Sequence, residues 1–265
     1  MTWFAADSSF ILHPSSFIIF AAAFAAGAVN SIAGGGTLIS FPTLVWLGRN
    51  AILANATNAA ALWPGSFAGM VGFRHDLATV RRWLLLLTLP SLVGGGVGAI
   101  LLLHTSTRTF EQLVPWLILG ATLLLAFQEV ITSRLNLVAR AHEKPTAGWV
   151  TFVFVFQFLV GVYGGYFGAG MGILMLAALG LIGLTDLHQM NGLKNLLAIC
   201  INGVAAIYFA VSGAVIWSDA ILMAIAAILG GFAGAKIAHK LGRKFVRGAV
   251  VVIGLAMTVA LFLKG

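Results

Sequence analysis

Lys194 is the residue whose placement most demands a chemical account. It lies in Gln189-Met190-Asn191-Gly192-Leu193-Lys194-Asn195-Leu196-Leu197-Ala198-Ile199-Cys200-Ile201-Asn202, and more than two turns of apolar sequence follow it. A lysine at the centre of a membrane helix costs on the order of 2.5–3.5 kcal/mol on insertion scales. No carboxylate stands one turn away along the same segment to offset that cost. Two readings follow. In one, the ammonium group binds an anionic cargo; in the other, it snorkels along its own alkyl stem to the interface. Asn191, Asn195 and Asn202 share roughly one helix face with Lys194. Asn55, Thr57, Asn58 and Ser66 fall on the corresponding segment of the first half. Such groups either orient a substrate or hold helices together through interhelical hydrogen bonds.

Two glycine clusters supply the second kind of chemistry. Gly34-Gly35-Gly36 is followed by Thr37, and Gly168-Ala169-Gly170 is followed by Met171. Each cluster sits near the middle of an uncharged stretch, Ser8 to Gly48 or Gly148 to Thr185. A span needs about 20 residues, so each stretch is too long for one crossing, and about a dozen apolar residues after each cluster suit a re-entrant segment. A helix that starts at such a break presents the positive end of its dipole and its free N–H groups. An anion cradle at Thr37 and near Gly170 and Met171, with Asn30 on the rim, is one reading. Close helix packing through glycine is the other.

The elements that must hold these groups are membrane helices. Of 265 residues, 60% are apolar and 8% charged. Mean hydropathy is +1.04. Soluble domains carry about 25% charge, so an ordinary cytosolic enzyme, a nucleic-acid-binding domain and a disordered chain are excluded. The net charge of +8 reads as basic cytoplasmic loops rather than a nucleic-acid surface. The single cysteine, Cys200, cannot form an intramolecular disulfide. Phe17 to Ala26 could pass for the apolar part of a signal peptide, but no basic residue precedes it; it is read as a membrane segment that stays.

Six further spans are expected at roughly 53–73, 83–103, 113–131, 190–211, 220–238 and 246–263. The halves repeat. Gly27-Ala28-Val29-Asn30 with Gly34-Gly35-Gly36 matches Gly161-Val162-Tyr163-Gly164 with Gly168-Ala169-Gly170. Gly94-Gly95-Gly96-Val97-Gly98-Ala99 matches Gly230-Gly231-Phe232-Ala233-Gly234-Ala235. This alignment sets Asn58 against Lys194. If each glycine-broken segment returns to its own side, one face collects Arg74, Arg81, Arg82, Arg134, Arg140, Lys144, Lys236, Lys240, Arg243, Lys244 and Arg247. The other face then keeps Arg49, Arg108 and Lys264. If each broken segment crosses fully, the split is nearly even. The positive-inside rule selects the first arrangement, with both termini outside. Each half then crosses an odd number of times, so the halves are inverted. The expected fold is an all-α polytopic membrane protein with two inverted-topology repeats. Each repeat is a glycine-broken re-entrant or short-helix hairpin plus three transmembrane helices. The N-terminal repeat is 1–132, a basic cytoplasmic linker is 133–147 and the C-terminal repeat is 148–265.

The carboxylates Asp7, Asp76, Glu111, Glu129, Glu143, Asp186 and Asp219 lie in loops or near span ends, which gives a carboxylate proton relay little support. The histidines, also at span ends, lack metal-ligand spacing, and no Gly-x-x-x-x-Gly-Lys-Ser/Thr loop is present. No cofactor, metal, nucleic-acid partner or catalytic set is therefore expected.

At Ala33-Gly34-Gly35-Gly36-Thr37-Leu38-Ile39-Ser40-Phe41-Pro42, Ala54-Asn55-Ala56-Thr57-Asn58, Gly161 through Gly170, and Asn191-Gly192-Leu193-Lys194-Asn195, the chain resembles the TauE/SafE family of sulfite exporter-type anion permeases. The resemblance covers nearly the whole chain. It implies an inner-membrane transporter of small anions, with sulfite, sulfoacetate and other organosulfonates as the substrate class. A secondary transporter working by alternating access about a midplane site is one expectation. A passive anion channel, or a carrier of a non-sulfur carboxylate or oxyanion, is the alternative.

Overall fold

The computed structural model describes residues 14–32, 35–71, 81–131, 133–134, 147–182, 184, 186–241 and 243–264. Side chains are described there except at 31–32, 65–71, 81, 147, 187–188, 235–241, 243–244 and 264. Ten long helices order the described chain: α1 (Pro14–Ile32), α2 (Thr37–Trp46), α3 (Ala51–Val71), α4 (Arg81–His104), α5 (Thr107–Ala126), α6 (Ala147–Tyr166), α7 (Met171–Leu181), α8 (Leu187–Val211), α9 (Trp217–Leu241) and α10 (Arg243–Lys264). No strand occurs among the described residues.

Six stretches are long and apolar enough to cross a membrane: Arg82–His104, Thr107–Ala126, Gly148–Tyr166, Gln189–Val211, Trp217–Gly234 and Phe245–Leu263. Five of them meet expected spans. The expected span at 113–131 is displaced, because Ser106 caps α5 by accepting from the Thr109 N–H at 3.1 Å and the helix ends before Phe127. The expected span at 53–73 corresponds to α3, which has 21 residues. Asn55, Thr57, Asn58 and Pro64 within it lower its apolar character. The sixth stretch, in α6, was expected to be one arm of a hairpin.

The two glycine-broken segments are unequal hairpins. Their first arms, α1 and α6, have 19 and 20 residues. Their second arms, α2 and α7, have only 10 and 11, about half a bilayer at 1.5 Å per residue. The Trp149 indole N–H donates to the Leu181 carbonyl at 2.6 Å, so α7 ends beside the start of α6.

The helices pack mainly across the halves. α1 lies along α9, α4 along α6, α3 along α8 and α5 along α10. Glycine makes the first two approaches possible. A Cβ on Gly230 would overlap the Phe24 carbonyl, and one on Gly94 would overlap the Phe158 carbonyl. A Cβ on Gly27 would overlap the Ala227 backbone, and one on Gly161 would come within 3.2 Å of the Ser91 carbonyl oxygen. These four contacts form two matched pairs: Phe24 aligns with Phe158, Gly94 with Gly230, Gly27 with Gly161 and Ser91 with Ala227. Close backbone approach through small residues is how membrane helices associate where apolar burial gives no net drive.

Polar contacts tie the connections at one end of the bundle. Arg49 donates to Asp219 through Nε at 2.7 Å and through an Nη at 3.3 Å, and the Asp219 side chain is 0% exposed. Asn50 Nδ2 donates to Thr107 Oγ1 at 3.2 Å, and the Ile216 N–H donates to Thr57 Oγ1 at 3.0 Å. The α2–α3, α4–α5 and α8–α9 connections therefore share one end. Toward the opposite end, Arg247 meets Glu129 at 3.0 Å.

The glycine contacts make a testable demand. Gly27→Leu should lower the thermal midpoint sharply, because overpacking costs about 1–3 kcal/mol even where side chains can yield and here the obstacle is backbone. Gly120→Leu, with nothing within 4 Å of its Cβ position, should leave the midpoint near wild type. Size-exclusion of heated, detergent-solubilised samples measures both.

Candidate functional site

The site is built around the two glycine tips. In the first, Gly35 has φ +93°, a left-handed conformation that glycine adopts without steric cost. It turns the chain from α1 into α2. The Gly36 N–H donates to Asn30 Oδ1 at 2.7 Å. A Cβ on Gly36 would strike the Ala26 carbonyl and come within 2.9 Å of Asn30 Cγ. Ser40, one turn into α2, donates to Asn58 Oδ1 at 2.5 Å, and Asn58 Nδ2 lies 3.5 Å from Thr37 Oγ1. Ser40 and Asn58 are both buried. The first tip is thus a neutral polar cluster of Asn30, Gly36, Thr37, Ser40 and Asn58.

The second tip is built differently. Gly170 caps α7 with φ +73°. The Tyr163 hydroxyl donates to the Ala169 carbonyl at 2.6 Å, and the Met171 N–H bonds the Gly168 carbonyl at 3.2 Å. Met171 packs where a Cβ on Gly164 would lie. Lys194, two turns into α8, runs its stem over Gly172: a Cβ there would sit 3.4 Å from Lys194 Cδ. Lys194 Nζ donates to Asn191 Oδ1 at 3.1 Å. Asn202 Oδ1 is 4.0 Å from the Cβ position of Gly168. Lys194, Asn191, Asn195 and Asn202 are all partly buried.

The tips are coupled. Asn55, 2% exposed, donates to the Tyr166 carbonyl at 2.9 Å. The Phe41 and Phe167 rings meet edge to face at 5.4 Å. Behind them, the Trp63 indole lies against Gly203 and donates to the Ile199 carbonyl at 3.1 Å, fixing α3 on α8.

The structure thus brings Lys194, Asn191 and Asn202 to the second tip, Asn58, Thr37 and Asn30 to the first, and Asn55 between them. Thr57 serves a different contact, at Ile216. Gly34 and the Ser66 side chain lie outside the described residues. The cradle of free N–H groups is narrower than expected, because those of Gly36 and Met171 are already bonded. Sequence reasoning quoted Ser40 and Tyr163 but missed their roles at the tips. Ser40 was discoverable, since it lies three residues after Thr37 on the same helix face.

Six apolar helices of spanning length and two interrupted hairpins define an integral membrane protein with polar groups gathered at its helix breaks. The chain belongs to the TauE/SafE sulfite exporter family, whose model it matches over residues 19–261. It is 27% identical to a probable membrane transporter protein of Haemophilus influenzae, over 91% of this chain and 92% of the relative. It is 26% identical to the probable membrane transporter protein YfcA of Escherichia coli K12, over 96% and 93%. It is 27% identical to the probable membrane transporter protein ORF9 of a Sinorhizobium species, over 92% and 90%. No solved structure matches the chain. The protein is therefore a membrane transporter of this family.

Tyr163→Phe should loosen the second tip without unfolding the bundle. One lost hydrogen bond is worth about 1 kcal/mol, or roughly fivefold faster amide exchange. Hydrogen–deuterium exchange over 167–173 should show that acceleration, with exchange in α4 unchanged.

Proposed function

We propose that this transporter moves a small oxyanion or organosulfonate, of the sulfite and sulfoacetate class, across the cytoplasmic membrane by alternating access. The reading is carried by one observation. The Lys194 stem crosses Gly172 at the start of α7, which puts its ammonium group beside the second glycine tip. The ammonium group and the positive end of α7 act together on an anion held there, and Asn191, Asn195 and Asn202 orient it. Asn55, Asn58, Thr37, Asn30 and Ser66 serve the facing half. Gly35, Gly36, Gly168, Ala169, Gly170 and Met171 form the backbone of the two tips.

The halves 1–132 and 148–265 are inverted repeats joined by the basic linker 133–147, and they rock about this site. Supporting this are the matched glycine contacts of α1–α9 and α4–α6 and the return of α7 to the start of α6. The basic linker lies in the cytoplasm, and both termini lie outside. The family's name, sulfite exporter, supports the substrate class.

In proteoliposomes, Lys194→Ala that elutes as a folded protein should lose sulfite and sulfonate flux at least tenfold. Wild-type flux from that variant refutes the assignment.

Orientation has its own test. In a Cys200→Ala background, Arg134→Cys should react with an impermeant maleimide only from the cytoplasmic face, and Ser212→Cys only from the outer face. Labelling of both from one face removes the inverted arrangement.

A further inference from the structure

We infer that a groove on the outside of the bundle binds an anionic phospholipid, with one acyl chain along α5 and the headgroup on Arg134. The groove holds about 430 Å³, within the range of about 300–1,000 Å³ typical of ligand clefts. Its floor is one stripe of helix, Trp116, Gly120, Leu123, Phe127 and Ile131. These residues are three or four positions apart and so share a face. Tyr163 of α6 and Leu174 of α7 form the other wall.

Helical bonding carries the stripe past the end of α5. The Phe127 N–H donates to the Leu123 carbonyl and the Ile131 N–H to the Phe127 carbonyl, both at 2.9 Å. From Trp116 to Ile131 the path is about 22 Å at 1.5 Å per residue, longer than one leaflet of a hydrocarbon core about 30 Å thick. Arg134 comes next on the same face, and its side chain is exposed.

A chain lying here differs from bulk lipid against a flat helix. A Cβ on Gly120 would meet nothing within 4 Å, so an acyl chain reaches the α5 backbone while touching α6 and α7 as well. On the first hairpin the matching place is covered, because α10 lies on both arms. α5 meets the second hairpin mainly through α7 and leaves the groove open. Tyr163 gives the occupant a bearing on the second tip. Its hydroxyl holds the Ala169 carbonyl, so a chain seated against it steadies that tip from the lipid side.

The headgroup end sets the charge. A basic residue at a membrane surface favours anionic lipid by about fivefold. The acidic neighbour on this stretch, Glu129, is met by Arg247 at 3.0 Å, which offsets its repulsion of a phosphate. A headgroup without net charge gains no such attraction from Arg134.

Native mass spectrometry of the full chain, stripped of lipid in detergent, tests this with phosphatidylglycerol and phosphatidylcholine of identical acyl chains. The first phosphatidylglycerol should bind the wild type roughly fivefold more tightly than the first phosphatidylcholine. Arg134→Gln should remove most of that preference. Gly120→Leu, which fills the groove, should weaken both lipids roughly tenfold through lost apolar contact. Gly248→Leu, equally open but outside the groove, should bind as the wild type does. Phosphatidylglycerol should slow amide exchange over 167–173 in the wild type and not in Gly120→Leu. Equal binding of the two lipids by the wild type overturns the inference. So does an undiminished preference in Arg134→Gln, unchanged binding by Gly120→Leu, or a lipid-free dimer that Gly120→Leu dissociates, which gives the face to a second copy of the chain.

Discussion

A backbone broken inside a membrane must find partners for its polar groups within the protein, because lipid offers none. That constraint organises this molecule. Each glycine tip releases amides and carbonyls from helical bonding, and named side chains take them up. Asn30 accepts from Gly36, Tyr163 donates to Ala169, and Asn55 reaches from α3 to the Tyr166 carbonyl. The last of these crosses between the halves, so α3 helps to complete the second tip. The polar groups that make the break tolerable are neighbours of those that would meet a cargo, and site and support cannot be altered independently.

The breaks also dictate the helix packing. Short second arms leave each hairpin too small to bury itself, and their first arms lie against helices of the opposite half. The α1–α9 and α4–α6 contacts reach backbone separation only because glycine stands at each crossing. The match is not complete around the bundle. α10 packs on both arms of the first hairpin, whereas α5 meets the second hairpin mainly through α7. A groove of about 430 Å³ remains there, lined by Trp116, Gly120, Leu124, Phe127, Tyr163 and Leu174 among others. On the alternating-access reading, such unequal packing of otherwise matching halves is the difference that must exchange between the two states. Tyr163, which holds the second tip and lines this groove, lies where that exchange would be felt.

Much of this was legible in the chain itself. Apolar runs of spanning length and glycine clusters inside overlong uncharged stretches dictate the helix count and the two breaks. The recurrence of Gly27 as Gly161 and of Gly94 as Gly230 suggested two similar halves, and these residues stand at the α1–α9 and α4–α6 crossings. The displaced span had a readable cause in Ser106, a capping residue followed three positions later by Thr109. What could not be read was three-dimensional. Nothing in the sequence distance between Asn55 and Tyr166 places them in contact, and nothing around Thr57 announces that its hydroxyl is given to Ile216. The Arg49–Asp219 pair was equally hidden, since both residues read as loop charges while Asp219 is wholly buried.

The alignment of the two halves sets Asn58 against Lys194, and the groups around the two residues differ. Among the described side chains, the cation beside a tip is Lys194, on the second side. Asn58 closes on Ser40 and Thr37, all neutral groups. Lys194 keeps a neutral acceptor in Asn191.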